Sequence, residues 1–376
     1  MFLKVSINEY VWSLKFDNFV FFFSFTNERF IEDASFLTSL SSLRQLSLYG
    51  IENTRNLHII STLTNLRSLC LHGYFYTHTL SPLTTLLHLQ HLGLCTPDYL
   101  RGIKNLEFMT MIQSLTLEFN RLPSINWPFD RLTALKLSTL RKDSGINSIK
   151  HNTNLLRLTI KYDDEGEYIH PFRTIRTLTN LRYLKLINLD FTHGEYLRSL
   201  INLEVLYLRL DETFPIQSLT NLHNLTRLEL YSKRDKEIET LERAAIFTNL
   251  RKLYCDGSHL QQIYQCLPYM HNLMDLLMDY VHNSAEVLEN VTQLTSLTKI
   301  DVSAYTAEDY LPLLTLPNLK LLRAYVFQTN DITILQQFTQ LQMLVVFSRC
   351  FEYDTEQLIE ILETKMKNKI IVKRFY

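Results

Sequence analysis

Glycine and proline are scarce in this 376-residue chain, at 8 and 9 residues. That excludes long flexible or proline-rich linkers and argues for one continuous body. The glycines are scattered, so no glycine-rich loop can cradle a phosphate, and neither G-x-S-x-G nor H-E-x-x-H occurs. Cysteine is scarcer still. Cys70, Cys95, Cys255, Cys266 and Cys350 are odd in number, widely spaced and without a C-x-x-C. A disulfide framework or a closed structural zinc site needs tighter clustering, so a reducing, cytoplasmic compartment is expected. Neither charge dominates: 38 Lys and Arg face 39 Asp and Glu, for a formal net charge of -1. No global field pulls the chain onto nucleic acid or an acidic membrane.

Long hydrophobic runs are also missing. The apolar stretch Phe19-Val20-Phe21-Phe22-Phe23-Ser24-Phe25 falls well short of the roughly 18 residues of a spanning helix. Lys4, Glu9, Lys15 and Asp17 precede it and no small-residue cleavage site follows, unlike a secretory signal. A buried or partner-facing aromatic strand is expected there, and no membrane association. The sequons Asn224-Leu-Thr226 and Asn290-Val-Thr292 therefore carry little weight, and the first lies across an anchor leucine where a glycan has no room.

What the chain does hold is hydrophobic material, 46% against 20% charged, enough for a sizeable core. It is arranged periodically. A Leu-x-x-Leu-x-Leu signature, with conservative swaps, begins at Leu43, Leu66, Leu89, Ile112, Leu132, Leu155, Leu181, Leu203, Leu225, Leu250, Leu273, Leu297, Leu319 and Leu341. The mean spacing is about 23 residues. One register is contested, because Leu106-x-x-Met109-x-Met111 competes with Ile112-x-x-Leu115-x-Leu117; the second keeps the period. The last two apolar positions of each signature are two apart, as in a strand with one buried face. No unit can bury its leucines alone, so neighbouring coils must complete the core. Asn65, Asn154, Asn180, Asn202, Asn224, Asn249, Asn272 and Asn318 each stand directly before a signature. Asparagine tolerates the left-handed conformation, and the expectation is that these residues end one coil and turn the chain into the next strand; a polar ligand ladder is the alternative.

This signature resembles that of the leucine-rich-repeat superfamily, over residues 40–346. The resemblance implies an α/β solenoid: a leucine-rich-repeat horseshoe with a concave parallel β-sheet and a mixed short-helix, 3₁₀ and irregular convex side. At the position where the family usually carries Asn or Cys, Asn120 matches while Asp163 and Leu210 do not, so no subfamily is assigned. The repeat length resembles internalin-like and short cytoplasmic classes more than the ribonuclease-inhibitor class. Helical spacing over residues 237–246 and 284–291, the latter with Ser284 as cap, contrasts with Pro123 to Asp130, which has room only for irregular or 3₁₀ structure. Three segments follow: 1–39, an N-terminal cap with a degenerate repeat at Val11–Phe16 and a helix near Glu32; 40–350, an array of about 14 units; and 351–376, a C-terminal cap. In that cap Asp354 or Thr355 opens a helix to about Met366, with Glu356 early and Lys365, Lys367 and Lys369 late, before a closing strand at 370–375.

The non-leucine signature positions should line the concave sheet in columns about 4.8 Å apart. Between the fifth and ninth repeats they read Lys136, Arg157, Lys161, Tyr183, Lys185, Tyr207, Arg209, Arg227 and Tyr231, with Glu229 the sole acid. Arg beside Tyr is the composition of interface hot spots, and these nine are the expected partner-binding residues. The next columns turn acidic at Asp256, Asp275, Asp279 and Asp301, against Lys252 and Lys299. The last are apolar at Leu321, Tyr325, Met343, Val345 and Phe347, with Arg323 among them. The basic track is too short, and too close to acid, for nucleic acid. Cys70, His72, His91 and Cys95 fall on adjacent strands and are weak candidates for a metal; no metal site and no cofactor are expected. Cys255-Asp256 and Cys350 resemble the catalytic cysteines of repeat-fused bacterial ubiquitin ligases, but that chemistry needs an additional domain and none is expected beside the repeats. The expected function is a non-enzymatic, cytoplasmic, monomeric protein–protein interaction scaffold that binds a protein partner on its concave face. Two alternatives are the substrate-recognition subunit of an F-box-type ubiquitin ligase, although no Leu-Pro-x-Glu start is visible, and a surface adhesin or receptor ectodomain, which would carry glycans at Asn224 or Asn290.

Overall fold

The computed structural model describes residues 2–7, 10–15, 20–22, 34–49, 54–73, 80–95, 103–118, 129–140, 146–162, 172–189, 194–210, 216–232, 247–256, 263–279, 284–304, 306–326, 330–348 and 369–374. The chain divides into two compact units, residues 1–190 and 191–376, built on one principle. In each signature the last two leucines lie two apart on an extended chain, so they share one face and bury it, while the residues between them share the other. All fourteen signatures form a strand.

Unit 1 begins with an antiparallel pair, β1 (Phe2–Ile7) and β2 (Tyr10–Lys15). Tyr10–Lys15, which overlaps the segment read as a degenerate first repeat, thus pairs with its N-terminal neighbour. The aromatic run contributes β3 (Val20–Phe22), which pairs in parallel with β4 (Gln45–Tyr49). Then follow β5 (Ser68–His72), β6 (His91–Cys95), β7 (Ser114–Glu118), β8 (Ala134–Leu140), β9 (Arg157–Tyr162) and β10 (Tyr183–Leu189), each parallel to the last. Unit 2 repeats the arrangement with β11 (Val205–Leu210), β12 (Arg227–Ser232), β13 (Lys252–Asp256), β14 (Asp275–Asp279), β15 (Lys299–Val302), β16 (Leu321–Val326) and β17 (Met343–Ser348). It ends on β18 (Lys369–Arg374), paired in parallel with β17, where a closing strand is expected. The long connections, about a dozen residues or more, that parallel strands require are supplied here by the rest of each coil.

Signature leucines such as Leu71, Leu117, Leu186, Leu208 and Leu322 are fully buried, and each contributes roughly 1.5–3 kcal/mol by leaving water. A further apolar residue sits three positions before thirteen of the fourteen signatures, in a tight turn: Leu63, Leu86, Leu178, Leu200 and Leu222 each accept, through the main-chain carbonyl, the N–H of the signature's first leucine. Met109 belongs to this turn column. That resolves the contested register, because β7 follows Ile112, and Ile112, Leu115 and Leu117 are buried while Met111 is half-exposed. The column's polar exception, Asn152, is buried and donates to the Ile149 carbonyl at 3.4 Å.

The pre-signature asparagines do something other than expected. Among the described residues, the single non-glycine with positive φ is Asn188 (φ 57), so none of the eight is left-handed. Instead the side-chain amides reach one coil back. Asn65 donates to the Ser41 carbonyl, Asn154 to Asp130, Asn180 to Thr153, Asn224 to Ile201, Asn249 to His223, Asn272 to Thr248 and Asn318 to Thr295, all at 2.8–2.9 Å. Each of these coils is thereby tied to the one before it by a side chain. The amide of Asn224 is committed to this ladder, as that of Asn290 is to the Glu286 carbonyl at 3.3 Å.

Opposite the strands, 3₁₀ segments such as Ser81–Thr85, Ile146–His151, Gly194–Ser199 and Ala307–Thr315 alternate with short helices. These are α1 (Thr54–Ile60), α2 (Phe172–Ile175), α3 (Ser284–Val291) and α4 (Asn330–Leu335). In α3, Val287, Leu288 and Val291 are buried at helical spacing, and Ser284 is its first residue. Tyr310 anchors the segment Ala307–Thr315 from inside: its hydroxyl donates to the Val302 carbonyl at 2.9 Å and accepts from Tyr325 N at 3.0 Å and Ala304 N at 3.3 Å. The helices expected over 237–246, near Glu32 and over 355–366 lie outside the described residues, as do Asn120, Pro123 and Cys350. Among the described residues no helix is long and apolar enough to cross a membrane.

Candidate functional site

Side chains between the buried leucines stand on the exposed face of each unit's sheet. Strand register therefore decides which of them meet. In unit 1, Arg157 of β9 is level with Tyr183 of β10, and its guanidinium lies 5.0 Å from the ring centroid. Lys136 of β8 and Lys185 of β10 are each level with Thr159, on either side of β9. Lys136, Arg157 and Lys161 are exposed; Tyr183 and Lys185 are half-buried. Five of the nine expected binding residues thus form one basic patch around a cation–ring contact.

The other four belong to unit 2, where Arg209 is exposed and Tyr207, Arg227 and Tyr231 are half-buried. Arg209 of β11 is exposed and level with Tyr231 of β12. The rings of Tyr207 and Tyr231 lie 5.4 Å apart at a 37° tilt. Arg227, by contrast, is engaged twice. Its Nε donates to Glu229 Oε1 at 2.6 Å, and its guanidinium lies 5.5 Å from the Tyr254 ring centroid. Glu229 sits at an exposed-face position, yet only 7% of it is accessible. It is level with Tyr207 on one side and Tyr254 on the other, and Arg227 is hydrogen-bonded to it. Such a carboxylate needs its cation, so Arg227 neutralises a buried acid of its own strand as well as facing outward.

Tyr254 is the residue that the sequence reading passed over. Its hydroxyl donates to Asp275 Oδ2 at 3.1 Å, continuing a chain from Glu229 through Arg227 and Tyr254 to Asp275. Burial, followed by Asp275, raises its phenol above the ordinary tyrosine value. The signal was available: Tyr254 stands 25 residues after Glu229, in the same column.

The acidic stretch is likewise less bare than its composition suggests. Asp275 is level with Lys252 and Lys299 on the two flanking strands. Asp301 accepts from Arg323 at 3.0 Å; burial nevertheless raises its carboxyl, with Arg323 opposing. Among the described side chains the face of unit 2 is therefore a chain of locally matched charges rather than a negative field; the side chains of Asp256 and Asp279 lie outside those described. Further on, Tyr325 and Phe347 stack at 5.1 Å, while Val345 is buried.

In unit 1, three of the four weak metal candidates converge. The sulfurs of Cys70 and Cys95 and a ring nitrogen of His72 all lie within 4.8 Å of one another, with Cys70 Sγ 3.1 Å from His72 Nε2. The Cys95 S–H donates to Cys70 and, with His72 assisting and burial opposing, brings the Cys70 thiol down from 9.0 to about 5. Cys95 is raised by the same hydrogen bond and by burial. His91 is not part of the group: it is exposed and level with Ser68, four residues from Cys95 along β6.

No family model and no curated protein matches the sequence. Solved structures do. A leucine-rich-repeat protein of Leptospira interrogans is similar at TM-score 0.58 and 18% identity, over 92% of this chain and 93% of that one. An internalin (inlF) of Listeria monocytogenes is matched at 18% identity over 91% of this chain and 84% of its own, with TM-score 0.47. An internalin C2 of the same organism is matched at 20% identity over 58% and 83%, with TM-score 0.36. With fourteen signatures each forming a strand, and with the first of these likenesses, the chain has the leucine-rich-repeat fold.

Proposed function

We propose that this chain is a non-enzymatic interaction scaffold that holds an acidic protein partner against the exposed, concave face of its sheet. The observation that carries this reading is the pairing of exposed cations with fixed rings: Arg157 on Tyr183, flanked by Lys136 and Lys161, in unit 1, and Arg209 beside the Tyr207–Tyr231 pair in unit 2. Rings held by a sheet lose little freedom on binding, and Arg with Tyr is the chemistry of hot spots. Thr159, Ile187 and Glu229 interrupt the basic track, which favours protein over nucleic acid. The charged groups stand on an open surface rather than converging in a dry pocket, which favours binding over catalysis. The sparse, widely spaced cysteines support a reducing, cytoplasmic setting and a monomer free of intermolecular disulfides.

The test is affinity capture with mass spectrometry, comparing wild type with Arg157→Glu and Arg209→Glu. Each reversal should lower recovery of the specific partner at least about tenfold, as losing a hot spot of about 2 kcal/mol implies. Melting temperature should stay within a degree or two. Undiminished recovery in both variants would overturn the assignment of the face.

A further inference from the structure

The coils carrying β5 and β6 hold a second kind of chemistry that the scaffold reading does not use. Cys70 and His72 lie two apart on β5, hence on one face, and Cys95 of β6 is level with His72. All three side chains are half-buried on the exposed face of the sheet. Level with Cys70 stands Gly93, the one residue of the group's own columns on these two strands that has no side chain. The gap matters: a Cβ on Gly93 would lie 2.7 Å from Cys70 Sγ, so the sulfur occupies the space that any other residue would fill. Through that gap Cys70 leans diagonally toward Cys95.

Two neighbouring thiols invite a disulfide, but the register opposes one. Cys70 and Cys95 are offset by two residues on adjacent strands, which places their Cα atoms about 8 Å apart. A disulfide spans no more than about 7 Å without moving backbone. The sulfurs approach each other while their backbones cannot. A metal ion bridges that separation, since it stands between its ligands. Zinc–sulfur distances of about 2.3 Å and zinc–nitrogen distances of about 2.0 Å in a tetrahedron place ligand atoms about 3.5–3.8 Å from one another. The three donors already lie within 4.8 Å. Closing that difference asks for about an ångström of side-chain movement.

We propose that Cys70, His72 and Cys95 form a three-ligand zinc site on the exposed face of unit 1, its fourth position open to water. The composition of two thiolates and one imidazole is soft enough for zinc and excludes calcium and magnesium, which require oxygen ligands. Both thiols bind as thiolates and His72 through the lone pair of a neutral ring, so their protons pass to solvent as the ion enters. Glu118, level with Cys95 on β7, adds negative charge beside the site, and Lys136 opposes it. The site stands independently of the partner reading: its ligands are not among the nine expected binding residues.

The experiment uses the full chain, purified with reductant, stripped with chelator and titrated with Zn²⁺ and with Co²⁺ as a spectroscopic probe. One equivalent of Zn²⁺ should bind, and Co²⁺ should give thiolate-to-metal charge-transfer absorption. Cys70→Ser, Cys95→Ser and His72→Ala should each weaken binding by more than the ten- to hundredfold typical of losing a mere supporting contact. Gly93→Ala removes no ligand, yet should weaken binding at least about tenfold by displacing the Cys70 sulfur; His91→Ala should leave it unchanged. Equal melting curves for the stripped proteins would show that each variant folds. A wild type that takes up no zinc, binding indifferent to Cys70→Ser, uptake of Cu(I) but not Zn²⁺, or a mass two hydrogens short from a Cys70–Cys95 disulfide would each overturn the proposal.

Discussion

Arg157 in unit 1 and Arg227 in unit 2 open their strands at the same column, and each lies over a tyrosine on the following strand, at 5.0 and 5.5 Å. Two residues on, the similarity ends. Arg157 is followed by Thr159, but Arg227 by Glu229, a carboxylate with 7% of its surface accessible and hydrogen-bonded to that arginine. One arginine can give its charge to a partner without loss to the sheet. The other neutralises an acid that its own strand has buried. Equal composition on a repeat surface therefore does not mean equal availability, and what separates the two is the side chain between the leucines.

The largest test of that contrast is charge reversal at each position. Arg227→Glu sets a second carboxylate beside Glu229 and should destabilise the protein by about 2–3 kcal/mol, short of the cost of breaking a fully buried pair because the Arg227 side chain is 41% exposed. Arg157→Glu loses only an exposed cation–ring contact, about 0.5–1 kcal/mol. Urea denaturation curves compared at equal slope would read the difference, and equal midpoints would remove the distinction drawn here.

Tyrosines sharpen the same point at a smaller scale. Tyr310→Phe abandons the Tyr325 and Ala304 amides and should cost about 1–3 kcal/mol. Tyr183→Phe retains the ring under Arg157 and should cost less than about 0.5 kcal/mol. Thermal melts of the two variants should be clearly separated.

The smallest effect concerns pH. Tyr254 has a folded-state pKa raised above 10.0 by burial and Asp275. In the folded protein it keeps its proton where the unfolded chain has released it, so its contribution is complete below pH 10 and is lost as pH rises through the folded value. Tyr254→Phe should flatten the decline in stability above pH 10 relative to wild type, while removing about 0.5–1.5 kcal/mol near neutrality with the Asp275 hydrogen bond. Parallel curves for the two proteins above pH 10 would show that this phenol does not titrate late.

The fold was legible because period-two leucines within a 23-residue period admit one construction, and β4 to β17 follow the signatures one for one. The asparagine column was legible as a position and misread as a conformation. A single sequence shows that asparagine recurs, but whether its amide or its backbone is used depends on where the previous coil's carbonyl lies. The binding columns were legible as far as register goes. Burial within them was not, because the 7% accessibility of Glu229 depends on the neighbours that register sets beside it, Tyr207 and Tyr254, and on the Arg227 bonded to it. Tyr254 escaped notice because attention to charge passes over a tyrosine between an apolar leucine and Cys255. The convergence of Cys70, His72 and Cys95 needed the register and the gap at Gly93, both properties of two strands rather than one.

The measurement that bears most directly on the central claim is the affinity of the captured partner, by titration calorimetry, for Arg157→Ala and Arg209→Ala against wild type. The account expects each to weaken binding at least about tenfold, corresponding to about 1.4 kcal/mol or more, with melting unchanged. Wild-type affinity in both variants would contradict it and place the binding surface elsewhere.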